Sequence, residues 1–144
     1  MTNPADLPGS AMAGARDAIW FVEDDADDIA LLGYACPRAG ITEWRTFEHG
    51  PALQKHLVGN PAAALPALMV LDINLPMMSG ITLLGWLRER HGADALPVVM
   101  LSTSHSERDM ASARELGADA YFIKPNNLNA LVALLEDLRR RWAA

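Results

Sequence analysis

Apolar residues along this chain fall into two alternating patterns: short unbroken runs, and longer segments in which they recur every three or four positions. The runs cover residues 18–22, 43–47, 68–71, 98–101 and 120–123. Leu68-Met69-Val70-Leu71 and Val98-Val99-Met100-Leu101 are apolar at every position, as central parallel strands covered on both faces require. Trp44 and Arg45 interrupt the second run, which places it at a sheet edge. The periodic segments cover 27–39, 51–58, 81–90, 107–116 and 128–142 and predict helices. In the last of these, Leu128, Leu131, Leu135, Leu138 and Trp142 share one face, as core packing against a sheet requires. Gly40, Gly92 and Gly117 read as helix stops. Pro37 conflicts with the first helix, which either ends near Cys36 or kinks there.

Five strand–helix cycles predict repeated βαβ units and a mostly parallel sheet. Residues 1–17, with Pro4, Pro8, Gly9, Ser10 and Gly14, have no such pattern and read as a flexible tail ahead of one domain spanning 18–144. The stretch Ala62-Ala63-Ala64 reads as a surface loop.

Composition narrows the class. Of the 144 residues, 51% are hydrophobic and 21% charged, the profile of a single soluble domain. No run approaches the roughly 18 apolar residues of a membrane span, and the first residues lack the basic start and apolar core of a signal peptide. Cys36 is the only cysteine, so no internal disulfide forms; it reads as a small buried hydrophobe in a protein of the cytoplasm. The formal charge of −6 argues against a nucleic-acid or anionic-membrane surface and favours a metal cation as ligand.

The acids gather where chemistry is expected. In an open parallel sheet, ligands bind beyond the carboxyl ends of the strands. The first run ends in Glu23-Asp24-Asp25, the third in Asp72, the fourth in Ser102-Thr103 and the fifth in Lys124-Pro125. Crowded carboxylates repel unless a cation neutralises them, and a few hard oxygen ligands suit Mg²⁺. Asp72 presented there is a candidate nucleophile toward phosphorus, with Ser102 and Lys124 as donors to the phosphoryl group. Asp25, Asp27 and Asp28 also suit the start of the first helix, and that structural reading is preferred for Asp27 and Asp28. His49, His56, His91 and His105 have no common spacing and read as surface residues. The run Arg139-Arg140-Arg141 reads as a solvated face favoured by the helix dipole, with a docking patch for an acidic partner as the functional alternative.

Four ordered motifs carry a resemblance: Phe21-Val22-Glu23-Asp24-Asp25; Leu71-Asp72-Ile73-Asn74-Leu75-Pro76 with Met78-Ser79-Gly80; Val98-Val99-Met100-Leu101-Ser102-Thr103; and the segment 117–125, which ends in Tyr121-Phe122-Ile123-Lys124-Pro125. With them the chain resembles the receiver domain of two-component response regulators. The resemblance implies a flavodoxin-like α/β fold, with a doubly wound parallel five-stranded sheet of order 2-1-3-4-5. It implies Asp72 as acceptor of a phosphoryl group from a sensor histidine kinase. Mg²⁺ would be held by Glu23, Asp24, Asp72 and the backbone carbonyl of Asn74. Ser102 and Lys124 would contact the phosphoryl group, and Tyr121 would respond to the movement of Ser102. Asn74 and Ser104 occupy positions that tune hydrolysis of the acyl phosphate.

The acidic opening, the Ser-Thr-Ser after the fourth strand and the Lys-Pro-Asn after the fifth are closest to stand-alone receivers that work with phytochrome-type kinases. Such a protein signals by binding a downstream protein or phosphorelay partner, or by forming a homodimer through the helix 4–strand 5–helix 5 face. An Asp-nucleophile phosphatase is disfavoured, because Asn74 stands where such enzymes carry a general acid. A receiver-shaped interaction module without phosphorylation is disfavoured because every residue of the chemistry is present.

Overall fold

The computed structural model describes residues 18–60 and 64–143. The expected tail and Ala62-Ala63 of the expected loop lie outside the described residues. The elements alternate as anticipated: β1 (Ile19–Val22), α1 (Ala26–Arg38), β2 (Trp44–Phe47), α2 (Gly50–Gly59), β3 (Leu68–Leu71), α3 (Gly80–Arg90), β4 (Val98–Ser102), α4 (Glu107–Glu115), β5 (Ala120–Ile123) and α5 (Leu128–Leu138). All four strand pairings are parallel and the order is β2-β1-β3-β4-β5, with β2 at an edge.

Side-chain alternation on the strands builds two cores. Trp20, Val22, Met69 and Leu71 face one way and pack with Leu53, Leu83, Leu84 and Leu87 from α2 and α3. Ile19, Phe21, Leu68 and Val70 face the other way and pack with Leu32, Ala35, Leu131, Leu135 and Leu138 from α1 and α5. Each fully buried leucine contributes about 2 kcal/mol relative to exposure, so both faces of the sheet are strongly determined.

Every helix begins with a side-chain cap. Asp25, His49, Ser79, Ser106 and Asn127 each accept a hydrogen bond from the backbone N–H three residues on. Gly40 and Gly117 follow helix ends with φ of 81° and 96°, the left-handed turn that glycine adopts without strain. Gly92 is not in that conformation.

Two helix ends refine the sequence reading. α1 runs through Pro37 and ends at Arg38, two residues past Cys36. The proline sits in the last turn, where it has no N–H to offer the carbonyl of Gly33, and the helix end is closed by Ala39 N donating to Ala35 O at 2.9 Å and Ile41 N to Cys36 O at 2.9 Å. At the other terminus the regular helix stops at Leu138, and Arg139–Ala143 continue as a wider π-helical turn. Arg139 is not part of a solvated face: its Nε donates to Ala39 O at 3.1 Å and ties this turn to the end of α1. Cys36 is fully buried, and burial pushes its thiol up to about 12.

Candidate functional site

β1 lies between β2 and β3, while α1 packs on the α5 side and α2 and α3 on the other. The chain therefore leaves β1 and β3 toward opposite faces, and a crevice opens at their carboxyl ends. Glu23 and Asp72 stand in that crevice only 5% and 6% exposed, and Asp24 stands exposed beside them. Carboxylate oxygens of these three residues lie within 4.8 Å of one another. That is a donor set of hard oxygens at the separation a divalent cation spans, so the residues present fit such an ion.

Lys124 enters from the end of β5. Its backbone N–H donates to Ser102 O at 2.9 Å, extending the β4–β5 ladder by one bond and fixing where the side chain starts. Its Nζ lies 2.6 Å from Glu23 Oε1, 2.8 Å from Asp28 Oδ2 and 2.9 Å from Asp72 Oδ2. An ammonium has three donors, and all three are committed to carboxylates. Burial works against the charged amine, but the bonds to Asp28, Glu23 and Asp72 outweigh it and hold Lys124 protonated well above the ordinary lysine range.

Glu23 responds in the opposite sense to what a simple ion pair would give. Burial raises its pKa, and the bonds from Lys124 and from Asp25 N offset this only in part. The two directions are compatible because one cation is shared among three acids. Lys124 gains three partners, whereas Glu23 receives a fraction of one charge and also feels Asp72.

Backbone geometry fixes Asp72 from the other side. Its Oδ1 accepts from Asn74 N at 3.2 Å, so each carboxylate oxygen has one donor. The chain then turns sharply: Gly80 N donates to Ile73 O at 2.8 Å, and a side chain at position 80 would overlap the carbonyl of Asp72. Only glycine lets α3 start this close to the strand that carries Asp72. Within the turn, Met77 adopts φ 70° and is 78% exposed.

Ser102 closes the crevice and is fully buried, its Oγ accepting from Ser104 N at 3.3 Å. Ser104 Oγ donates to Asp109 Oδ2 at 2.7 Å, which holds the loop after β4 against the first turn of α4. Tyr121 is half-buried, and its hydroxyl donates to Ser104 O at 2.9 Å. Ser102, Ser104, Tyr121 and Lys124 thus form one linked set across β4 and β5.

The structure therefore gathers Glu23, Asp24, Asp72 and Lys124 at one point, with Asn74 touching Asp72 through its backbone and Ser102 on the neighbouring strand. Sequence reasoning missed Asp28, which bonds Lys124 across 96 positions of chain. The available signal was its place one helical turn beyond Asp25, which itself caps α1, so that Asp28 is not needed as the cap. Two histidines also depart from a plain surface role. His49 caps α2, and His56 packs edge-on against Trp20 with ring centroids 5.3 Å apart. His105 is exposed, as expected.

The family model for the response regulator receiver domain matches residues 19–136. The chain belongs to that family, the receiver domains of response regulators. The DNA-binding transcriptional regulator NtrC of Escherichia coli K12 is 37% identical over 122 residues, covering 84% of this chain and 24% of NtrC. The transcriptional regulatory protein GltR of Pseudomonas aeruginosa is 33% identical over 130 residues, covering 90% of this chain and 52% of GltR. The chain thus spans about a quarter of one relative and about half of the other.

Among solved structures, the phosphorylated cyanobacterial phytochrome response regulator RcpA superposes with a TM-score of 0.78 at 28% identity, covering 88% of this chain and 94% of that one. A response regulator in red light signaling of R. palustris gives 0.76 at 28% identity, covering 88% and 95%. Both agree with the five-stranded 2-1-3-4-5 architecture. No helix among the described residues is long and apolar enough to cross a membrane.

Proposed function

We propose that Asp72 accepts a phosphoryl group from the phosphohistidine of a sensor histidine kinase, making this chain a phosphorylation-controlled signalling protein. The observation that carries this reading is the buried Asp72 carboxylate, with a lysine at 2.9 Å and two further carboxylates near enough to share a divalent cation. A carboxylate oxygen of Asp72 attacks phosphorus, the P–N bond breaks, and the histidine nitrogen leaves with the electron pair. Glu23, Asp24, Asp72 and the backbone carbonyl of Asn74 would hold Mg²⁺. Bound there, the ion offsets the repulsion between the attacking carboxylate and the phosphoryl oxygens.

Lys124 supplies the second positive charge to the transferred group, and Ser102 donates to another of its oxygens. Movement of Ser102 toward the phosphoryl group pulls on Ser104 and releases the Tyr121 hydroxyl, which carries the change to the α4–β5–α5 face. On that face a groove of about 380 Å³ lined by Met110, Arg114, Tyr121 and Ile123 offers a surface for a homodimer or a downstream protein. Asn74 and Ser104, beside the reacting centre, set the rate at which the acyl phosphate hydrolyses. The likeness to RcpA and to a red-light response regulator supports a phytochrome-type kinase as the donor, and the single, buried, unpaired Cys36 fits a cytoplasmic location.

Intact-mass measurement after incubation with acetyl phosphate and Mg²⁺ tests the reading. The native chain gains one phosphoryl group and Asp72→Asn gains none. An unmodified native chain, under conditions that modify another receiver, overturns it.

A further inference from the structure

Asp28 stands outside the residues assigned to the cation. The carboxylates that converge on a common point are Glu23, Asp24 and Asp72, whereas Asp28 faces Lys124 alone, at 2.8 Å from the first turn of α1. Its side chain is 39% exposed, so packing does not force it there. A cleft of about 30 Å³ borders the pair, and its remaining lining of Leu31, Leu32, Leu101, Pro125 and Leu131 offers no side-chain acceptor. On this flank Lys124 has one choice of partner besides Glu23, and it is Asp28.

We infer that Asp28 is a positioning residue that holds one donor of Lys124 away from the phosphoryl group and so biases the protein toward its unphosphorylated state. This deepens the function proposed above and rests on it. Phosphorylation brings about −1.5 to −2 of charge to Asp72, and Lys124 must turn donors toward the new oxygens. Glu23 gives up its claim on Lys124 once it shares a divalent cation. Asp28 has no such substitute and stays a competitor for the ammonium, while its own charge repels the incoming dianion. Asp28 therefore lowers affinity for a phosphoryl group without touching it.

Binding of beryllofluoride, an unreactive stand-in for the phosphoryl group, measures this as an equilibrium. In the full chain with Mg²⁺, Asp28→Asn binds beryllofluoride about three- to fivefold more tightly than native, the size a partly exposed ion pair supports. Asp28→Glu, which keeps the charge, returns most of the way to native affinity, and the difference between Asn and native shrinks as salt is raised. Asp28→Ser serves as a second neutral variant should Asn perturb folding, and gives the same tightening. Equal or weaker binding by both neutral variants, in proteins that melt like native, overturns the inference while leaving phosphorylation of Asp72 intact. A native chain that neither binds beryllofluoride nor takes a phosphoryl group overturns the function and this inference together.

Discussion

The two rims of the sheet each gather acceptors around one cation, and they balance it differently. At the amino-terminal rim, Arg88 donates to the carbonyls of Gly117, His91 and Leu96 and to Asp119, and Asp119 also accepts from Val98 N. One guanidinium there meets one carboxylate, with neutral carbonyls completing its fork. At the carboxyl-terminal rim, Lys124 meets Glu23, Asp28 and Asp72, with Asp24 beside them. The first cluster is charge-neutral and pins α3 to the starts of β4 and β5. The second carries a surplus of negative charge that no residue of the described chain offsets. A neutral network serves stability, whereas an unbalanced one is left for something that arrives.

The sharpest way to break the comparison is Arg88→Ala. It strips Asp119 and three carbonyls of their donor and leaves a partly buried carboxylate with only a backbone partner. Stability in urea should fall by about 3 kcal/mol, while the variant, still folded in buffer, takes the phosphoryl group as native does. A loss of chemistry with little loss of stability would show that the rims are not separable.

Adding Mg²⁺ sharpens the contrast from the other side. At about a hundred times its dissociation constant the ion should raise the unfolding free energy by about 2.7 kcal/mol. Arg88→Ala keeps that increment and Asp24→Asn loses it, as thermal melts with and without the ion will show.

A smaller effect calibrates the interior between the rims. The unfolded thiol of Cys36 ionises from about pH 9 upward and the folded thiol only near 12, so the folded state holds the extra proton in that window. The stabilisation is complete below pH 9 and is lost as pH rises toward 12. Between pH 8 and 10 the native chain should lose about 1 kcal/mol more than Cys36→Ala, read from urea midpoints at each pH. Lys124, raised above its ordinary 10.5, loses its own contribution only at higher pH and stays out of this window.

How much of this was legible in the sequence depended on range along the chain. Leu68–Leu71, fully buried, and Ala120–Ile123, half-buried at the sheet edge, match the sequence reading to the residue, because a run of apolar side chains is itself the cause of a strand packed against helices. Glu23, Asp24, Asp72, Ser102 and Lys124 were legible because the strand ends of a parallel sheet converge on one edge. Asp28 was not, since an aspartate in the first turn of a helix looks the same whether it serves the helix or a lysine 96 positions away. The Arg88 network was likewise hidden: three of its four bonds go to carbonyls, which leave no mark in side-chain pattern. At Pro37 the general rule for proline predicted an ending or a kink, and the outcome was decided by position, one turn before a glycine that could close the helix without the missing N–H.

Gly80 has no chemistry of its own, yet the carbonyl of Asp72 occupies the space its side chain would fill. Its tolerance to substitution should therefore resemble that of the acids and not that of a linker. Any survey that ranks positions by how rarely they can change would place this glycine among the reacting residues, and the reason is steric: Asp72 keeps its place partly because Gly80 has no side-chain atom to displace its carbonyl.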